Sequence, residues 1–273
     1  METIIFNGRA FADEKEKELK KKVEKIKKKG ITPKLVAIVI GNYPASEMYV
    51  NMKKRVAARV GCNLMIVKLS KNTSTMNNKL RLRVIRLIRE INLDKSIHGI
   101  MLQLPLPENF SKEDRDKIIK SIAKEKDVDG MRDDSPYLSP VVKAVIYALK
   151  DASTMLPLRD NLCKVIVVGY TGFEGKKIHR TLKEMNYDVV GVDIKTPDLK
   201  VNTLSADILI SVTGVRNLIE KSMVKKGCVL IDVGAPDGDI DRGAYEKASF
   251  VSPVPGGIGP VTIISLLENL VFK

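Results

Sequence analysis

The chain has no tryptophan, aromatic residues make up 5% of it, and its 273 residues include three cysteines and two histidines. Cys62, Cys163 and Cys228 lack paired spacing, and His98 and His179 are isolated. A disulfide framework, a metal site and a Ser-His-Asp triad are therefore all unsupported, and the three thiols read as core residues. No apolar run reaches the roughly 18 residues that a membrane span needs. The opening Met1–Gly8 shows no basic region ahead of an apolar core. A soluble, cytoplasmic protein with no membrane partner is the expectation. Acidic residues are in deficit, 33 against 47 lysines and arginines, for a net charge of +14. Such an excess attracts polyanions and brings nucleic acid into consideration. Against that partner stand the few aromatics and the Glu/Lys interleaving of Glu14–Lys29, which has the helical spacing of a solvated face.

What is present is alternation. Leu35–Ile40 is continuously apolar, as a strand buried on both faces of a parallel sheet would be. A helix over Met48–Val60 follows, then strand Asn63–Leu69, helix Lys79–Ile91, strand His98–Leu104 and helix Ser111–Ala123. Beyond Asp129 a second series begins, with helices at Val141–Leu149 and Lys176–Glu184. Its strands are Lys164–Val168, Asp188–Asp193, Ile208–Val212 and Val229–Val233, and the last helix is Ile263–Phe272. The fold class is α/β with two α/β domains. Residues 1–135 form the first, joined by a returning C-terminal helix at 260–273; residues 136–259 form a Rossmann-type second domain.

Four constellations could carry chemistry. Ser252–Thr262 reads S-P-V-P-G-G-I-G-P-V-T, too rich in proline and glycine for a regular strand or helix. It is a shaped loop suited to an anionic or planar ligand, or else an interdomain linker. Lys164–Gly175 reads K-V-I-V-V-G-Y-T-G-F-E-G, an apolar strand and a glycine turn before a helix. The spacing is G-x-x-G-x-x-G, not G-x-G-x-x-G: Gly169 would permit the turn and Gly175 close helix packing, leaving a helix N-terminus to hold a pyrophosphate, or these are the ordinary glycines of a strand-to-helix turn. Tyr49 and Lys53, four apart on a helix, share a face, and Gln103 lies near another strand end. A buried lysine there can act as acid or base near neutrality, whereas an exposed one would be a surface pair. Asp127 and Asp129 in K-D-V-D-G are a helix-capping turn or a carboxylate presented to a ligand.

Ala45–Lys53 (A-S-E-M-Y-V-N-M-K), Gly99–Pro107 (G-I-M-L-Q-L-P-L-P), Lys126–Gly130, Ile231–Gly234 (I-D-V-G) and P-V-P-G-G-I-G-P-V-T together resemble one family. It is that of the bifunctional methylenetetrahydrofolate dehydrogenase and methenyltetrahydrofolate cyclohydrolase. The resemblance implies a homodimer with folate in a cleft and NADP on the second domain. It makes Lys53 the catalytic lysine, with Tyr49 stacking near the pterin, Gln103 bonding the lysine or the folate, and Asp129 gripping the pterin's amidine-like edge. Leu102, Leu104 and the loop Pro255, Gly256, Gly257, Ile258 and Gly259 would complete the substrate pocket. Gly169, Tyr170, Thr171, Gly175, Asp193, Lys195, Thr213, Gly214 and Ala235 would contact the cofactor.

The resemblance has gaps. The family's P-C-T-P segment is replaced by Ser139, Pro140, Val141 and Val142. The G-R-S of its nucleotide turn becomes Gly169, Tyr170 and Thr171, so the arginine expected at a 2′-phosphate is missing. Asp193 favours a ribose 2′-hydroxyl and hence NAD, whereas Lys195, Lys176 or Lys177 could neutralise it. With the family's habit added, NADP is the expectation and NAD the alternative. Rival readings are a dehydrogenase without cyclohydrolase activity and a catalytically silent nucleotide- or RNA-binding protein of the same fold.

Overall fold

The computed structural model describes residues 2–41, 43–69, 77–156 and 163–272. In chain order its elements are β1 (Ile4–Ile5), α1 (Gly8–Lys27), β2 (Lys34–Ile40), α2 (Pro44–Val60), β3 (Asn63–Leu69), α3 (Asn77–Leu93), β4 (Gly99–Leu102) and α4 (Lys112–Lys120). Then follow α5 (Pro140–Met155), β5 (Lys164–Val168), α6 (Phe173–Glu184), β6 (Asp188–Val192), α7 (Leu199–Leu204), β7 (Ile208–Ser211), β8 (Val229–Asp232), β9 (Phe250–Ser252) and α8 (Ile258–Val271).

Two compact units result. One comprises Glu14–Ser139 and Leu266–Lys273, and holds a three-stranded parallel sheet in the order β3-β2-β4. β2 is central, and six of its seven residues are buried, which explains the unbroken apolar run Leu35–Ile40. Pro44 opens α2, and Gly61, at φ +88°, ends it in a left-handed cap. On α1, Leu19 and Val23 are buried while most of the Lys and Glu positions are exposed, the solvated face read from the sequence.

The other unit comprises Met1–Asp13 and Pro140–Ser265, with a six-stranded parallel sheet in the order β1-β9-β8-β7-β5-β6. From β5 the chain goes first to β6 on one side and then to β7 on the other, so strand order reverses at β5. The carboxyl ends of strands at such a switch point are where open α/β sheets bind ligands. Ile166, Val168, Leu209, Leu230 and Val251 build its core.

Four features differ from the expectations. Residues 1–13, expected in the first domain, belong with the second unit because Ile4 and Ile5 pair with Phe250 and Val251. β1, β9 and α7 are too short to announce themselves by periodicity. α8 starts inside the Pro/Gly run, at Ile258, and takes in Gly259 and Pro260. A proline in the first helical turn removes a donor that has no intrahelical acceptor, so it does not interrupt the helix. Cys163 is only half-buried, whereas Cys62 and Cys228 are buried and their thiols are pushed up to about 12 by desolvation. Among the described residues no helix is long and apolar enough to cross a membrane.

A colorimetric thiol reagent at pH 8 should therefore modify Cys163 quickly in the folded protein and reach Cys62 and Cys228 only after denaturant is added. Three fast thiols without denaturant would contradict this packing.

Candidate active site and nucleotide turn

The first unit brings Tyr49, Lys53 and Gln103 together. Lys53 lies on α2 and is 9% exposed, so the surface-pair alternative does not apply. Its ammonium stands 3.3 Å from Gln103 Oε1, 3.9 Å from Met101 Sδ and 5.2 Å from the centre of the Tyr49 ring. Cation–ring attraction and the amide dipole both favour holding a positive charge there. Gln103 follows β4 directly, and its backbone N–H donates to Ile38 O at 2.9 Å, which extends the sheet by one bond. Its side-chain Nε2 donates to Leu104 O at 2.6 Å, so the amide oxygen faces Lys53. Met101, absent from the sequence-derived site, is placed there because side chains alternate along β4 and position 101 shares a face with 103. Of the two flanking leucines, Leu104 is partly open while Leu102 is buried in the sheet. Leu104 also lines a cavity of about 580 Å³ whose walls include Pro105, Phe110, Lys112 and Arg115.

The two aspartates of K-D-V-D-G divide the roles that the sequence left open. Asp127 is fully buried, and its carboxylate accepts from the N–H groups of Met131 and Arg132 at 3.0 and 2.9 Å. It is the turn-forming residue, with desolvation raising its pKa. Asp129 is half-buried, which leaves it the carboxylate of the pair with a surface to present. Lys126 is structural as well, donating to the carbonyls of Ile91, Asn92 and Asp94 at 2.9, 2.8 and 2.7 Å.

In the second unit Gly169 has φ +87°, and a Cβ there would lie 2.7 Å from Val212 O and 3.0 Å from Thr213 Cγ2. The turn after β5 thus abuts the end of β7. A Cβ on Gly175 would lie 2.1 Å from Gly169 O, so only glycine lets α6 come this close to the turn. Gly172 caps α6 with no side-chain bond. Tyr170 packs its ring on β6, where a Cβ on Gly191 would come within 2.4 Å of it. Thr171 Oγ1 donates to Asp193 Oδ2. Lys195 is exposed.

Thr213 is fixed by a residue that the sequence did not single out. Buried Asp239 accepts from Ser211 Oγ at 2.8 Å and from Thr213 N and Oγ1 at 2.6 and 2.8 Å. Asp232, at the end of β8, accepts in turn from Gly234 N, Asp239 N and Ile240 N at 2.9–3.0 Å. Desolvation and the neighbouring Asp239 push its carboxyl pKa up. Ala235 is exposed beyond this pair. The sequence signal was only a G-D-I triplet, Gly238–Ile240, separated by three residues from I-D-V-G. The loop Pro255–Gly259 also belongs to this unit, where a Cβ on Gly257 would lie 2.3 Å from Ser252 Oγ. Cβ atoms on Gly256 or Gly259 would meet nothing within 4 Å.

Residues 6–129 match the tetrahydrofolate dehydrogenase/cyclohydrolase catalytic domain, and residues 141–273 match the NAD(P)-binding domain of the same enzymes. The chain belongs to this family. The bifunctional protein FolD of Bacillus subtilis is 35% identical over 288 residues, covering 99% of this chain and 97% of that one. The crystal structure of the bifunctional FolD enzyme of Campylobacter jejuni is 32% identical with a TM-score of 0.89, covering 99% and 98% of the two chains. The Trypanosoma brucei enzyme, complexed with NADP and an inhibitor, is 27% identical with a TM-score of 0.88 over 99% and 96%.

An NAD(P) dinucleotide fits what the second unit offers. The Gly169–Gly175 backbone is bare of side chains at its closest approaches, and a Cβ on Gly214 at φ +68° would meet nothing within 4 Å. Backbone at Gly214 lies open to a ligand, and the packing at Gly169 and Gly175 brings the N-terminus of α6 up to the strand ends. Gly175→Ala would force α6 away from the turn, and overpacking of this kind costs about 1–3 kcal/mol. The variant should fold with a lowered melting temperature and bind NAD(P) at least about tenfold more weakly. Calorimetric titration showing undiminished affinity would contradict this geometry.

Proposed function

We propose that the chain is a bifunctional one-carbon folate enzyme. It oxidises 5,10-methylenetetrahydrofolate to the 5,10-methenyl cation and then hydrolyses that cation to 10-formyltetrahydrofolate. The observation that carries this reading is the burial of Lys53 with its ammonium 3.3 Å from Gln103 Oε1, inside a domain matching the family's catalytic one. A nicotinamide dinucleotide, which the Gly169–Gly175 turn with Thr213 and Gly214 would hold, would supply the hydride acceptor for the first step.

The remaining work falls to side chains. Tyr49 offers a ring face for the pterin and holds Lys53 beside it. Oxidation needs mainly alignment, and the protein supplies it by positioning. Hydrolysis adds water to the methenyl carbon and releases one proton. Lys53 handles that proton, and Gln103 keeps its ammonium in place while it does so. Asp129 holds the pterin's amidine-like edge by charge-assisted bonds. The cavity beyond Leu104 pairs apolar walls with Lys112 and Arg115, as a substrate with an aromatic body and a carboxylate tail requires. Gly169–Gly175 with Thr213, Gly214 and Ala235 supplies the nucleotide contacts. The loss of P-C-T-P leaves the Tyr49, Lys53 and Gln103 set intact, which favours two activities over a dehydrogenase alone.

A homodimer in the cytoplasm completes the proposal. β6 is an edge strand, and Ile194 and Val201 after it are 47% and 66% exposed, as a self-association face would be. Three unbridged thiols suit a reducing compartment.

Lys53→Met should lower hydrolysis of methenyltetrahydrofolate by about a hundredfold or more while leaving folate affinity within a few-fold. Loss of methenyl absorbance at neutral pH follows the hydrolysis directly. An unchanged rate would remove Lys53 from the mechanism, and wild-type protein that neither reduces the nicotinamide nor hydrolyses the cation would favour a silent binding protein.

A further inference from the structure

We infer that Asp193 makes NAD, rather than NADP, the preferred nucleotide of this chain. The inference rests on the dinucleotide reading of the second unit, and it departs from the preference expected from resemblance alone. β5 and β6 are parallel with Val168 opposite Val192, and Gly169 N and Tyr170 N both donate to Val192 O, at 2.8 and 3.3 Å. The glycine turn and Asp193 therefore leave the sheet side by side. A carboxylate at this place in a Rossmann unit receives the adenosine ribose hydroxyls.

The carboxylate is held in position. Thr171 Oγ1 donates to Oδ2, Ile194 N donates to Oδ1 at 2.8 Å, and Asp193 N donates to Thr196 Oγ1 at 2.7 Å. A carboxylate has about four acceptor positions. The two in use leave about two, the number that a ribose 2′,3′-diol fills. A 2′-phosphate would instead bring a charge of roughly −1.5 to −2 against that anion, with nothing to donate.

The described cations near it in sequence are engaged elsewhere or screened. The turn Gly169–Gly175 contains no cation and adds Glu174. Lys177, one of the lysines that could have compensated, is buried with its ammonium 4.1 Å from the centre of the Phe173 ring. Arg180, further along α6, pairs with Glu184 at 4.0 Å. Lys176 and Lys195 are exposed, where water and salt screen them. Tyr170, whose ring packs on β6, offers no guanidinium fork to a phosphate.

The test is calorimetric titration of the purified full chain with NAD⁺ and with NADP⁺ in phosphate-free buffer. NAD⁺ should bind about tenfold or more tightly than NADP⁺. Asp193→Ser should weaken NAD⁺, strengthen NADP⁺ and close or reverse the gap. NADP⁺ binding as tightly as NAD⁺ to the wild type, or an unchanged ratio in Asp193→Ser, would overturn the assignment and leave the dehydrogenase reading standing. Binding of neither nucleotide would overturn both.

Discussion

A lysine ammonium withdrawn from water has to be solvated by the protein, and much of the first unit is arranged around that requirement. Lys53 meets it with an amide oxygen, a thioether and an aromatic face. Each of these depends on something else. The amide points correctly because its nitrogen is held by Leu104 O, and Gln103 is where it is because β4 pairs with the fully buried middle of β2. Tyr49 and Lys53 meet because residues four apart on α2 stack on one face. Neutral dipoles and polarisable groups thus take part in supporting the charge.

The second unit solves a different problem by a different means. Its ligand is large and anionic, and the turn that would receive it is shaped by the absence of side chains. Gly169 and Gly175 let a helix end approach a strand end until no Cβ fits between them. Order at the neighbouring strand ends comes from carboxylates instead: Asp239 holds β7 to Thr213, and Asp232 holds the start of the following loop. Both devices lie at the carboxyl edge of a parallel sheet, where unpaired backbone groups collect.

Much of this was legible in the sequence because buried parallel strands are continuous apolar runs. Leu35–Ile40 and Lys164–Val168 are examples, and β3 and β5 have the bounds the sequence suggested. The glycine turn was visible for the same reason, since it sits at the end of such a run, whereas Tyr49, Lys53 and Gln103 were singled out by the family resemblance, because the spacing alone fits a surface pair equally. What was not visible depends on distant partners. β1 consists of two isoleucines that become a strand only beside β9. Asp127 and Asp129 are chemically identical in sequence, and only the fold buries one and leaves the other partly open. Met101 and Asp239 gain their positions from strand pairing and loop return.

The Asp232 and Asp239 pair also bears on how this chain can change over time. The loop between them is specified at its two ends, where Asp232 accepts from the N–H groups of Gly234, Asp239 and Ile240, and where a Cβ on Gly234 would lie 2.2 Å from Asp239 Oδ1. Its tip, Ala235, Pro236 and Asp237, is exposed. Of the three, Asp237 is the position where substitution explores new surface chemistry on the nucleotide domain while the anchors are retained.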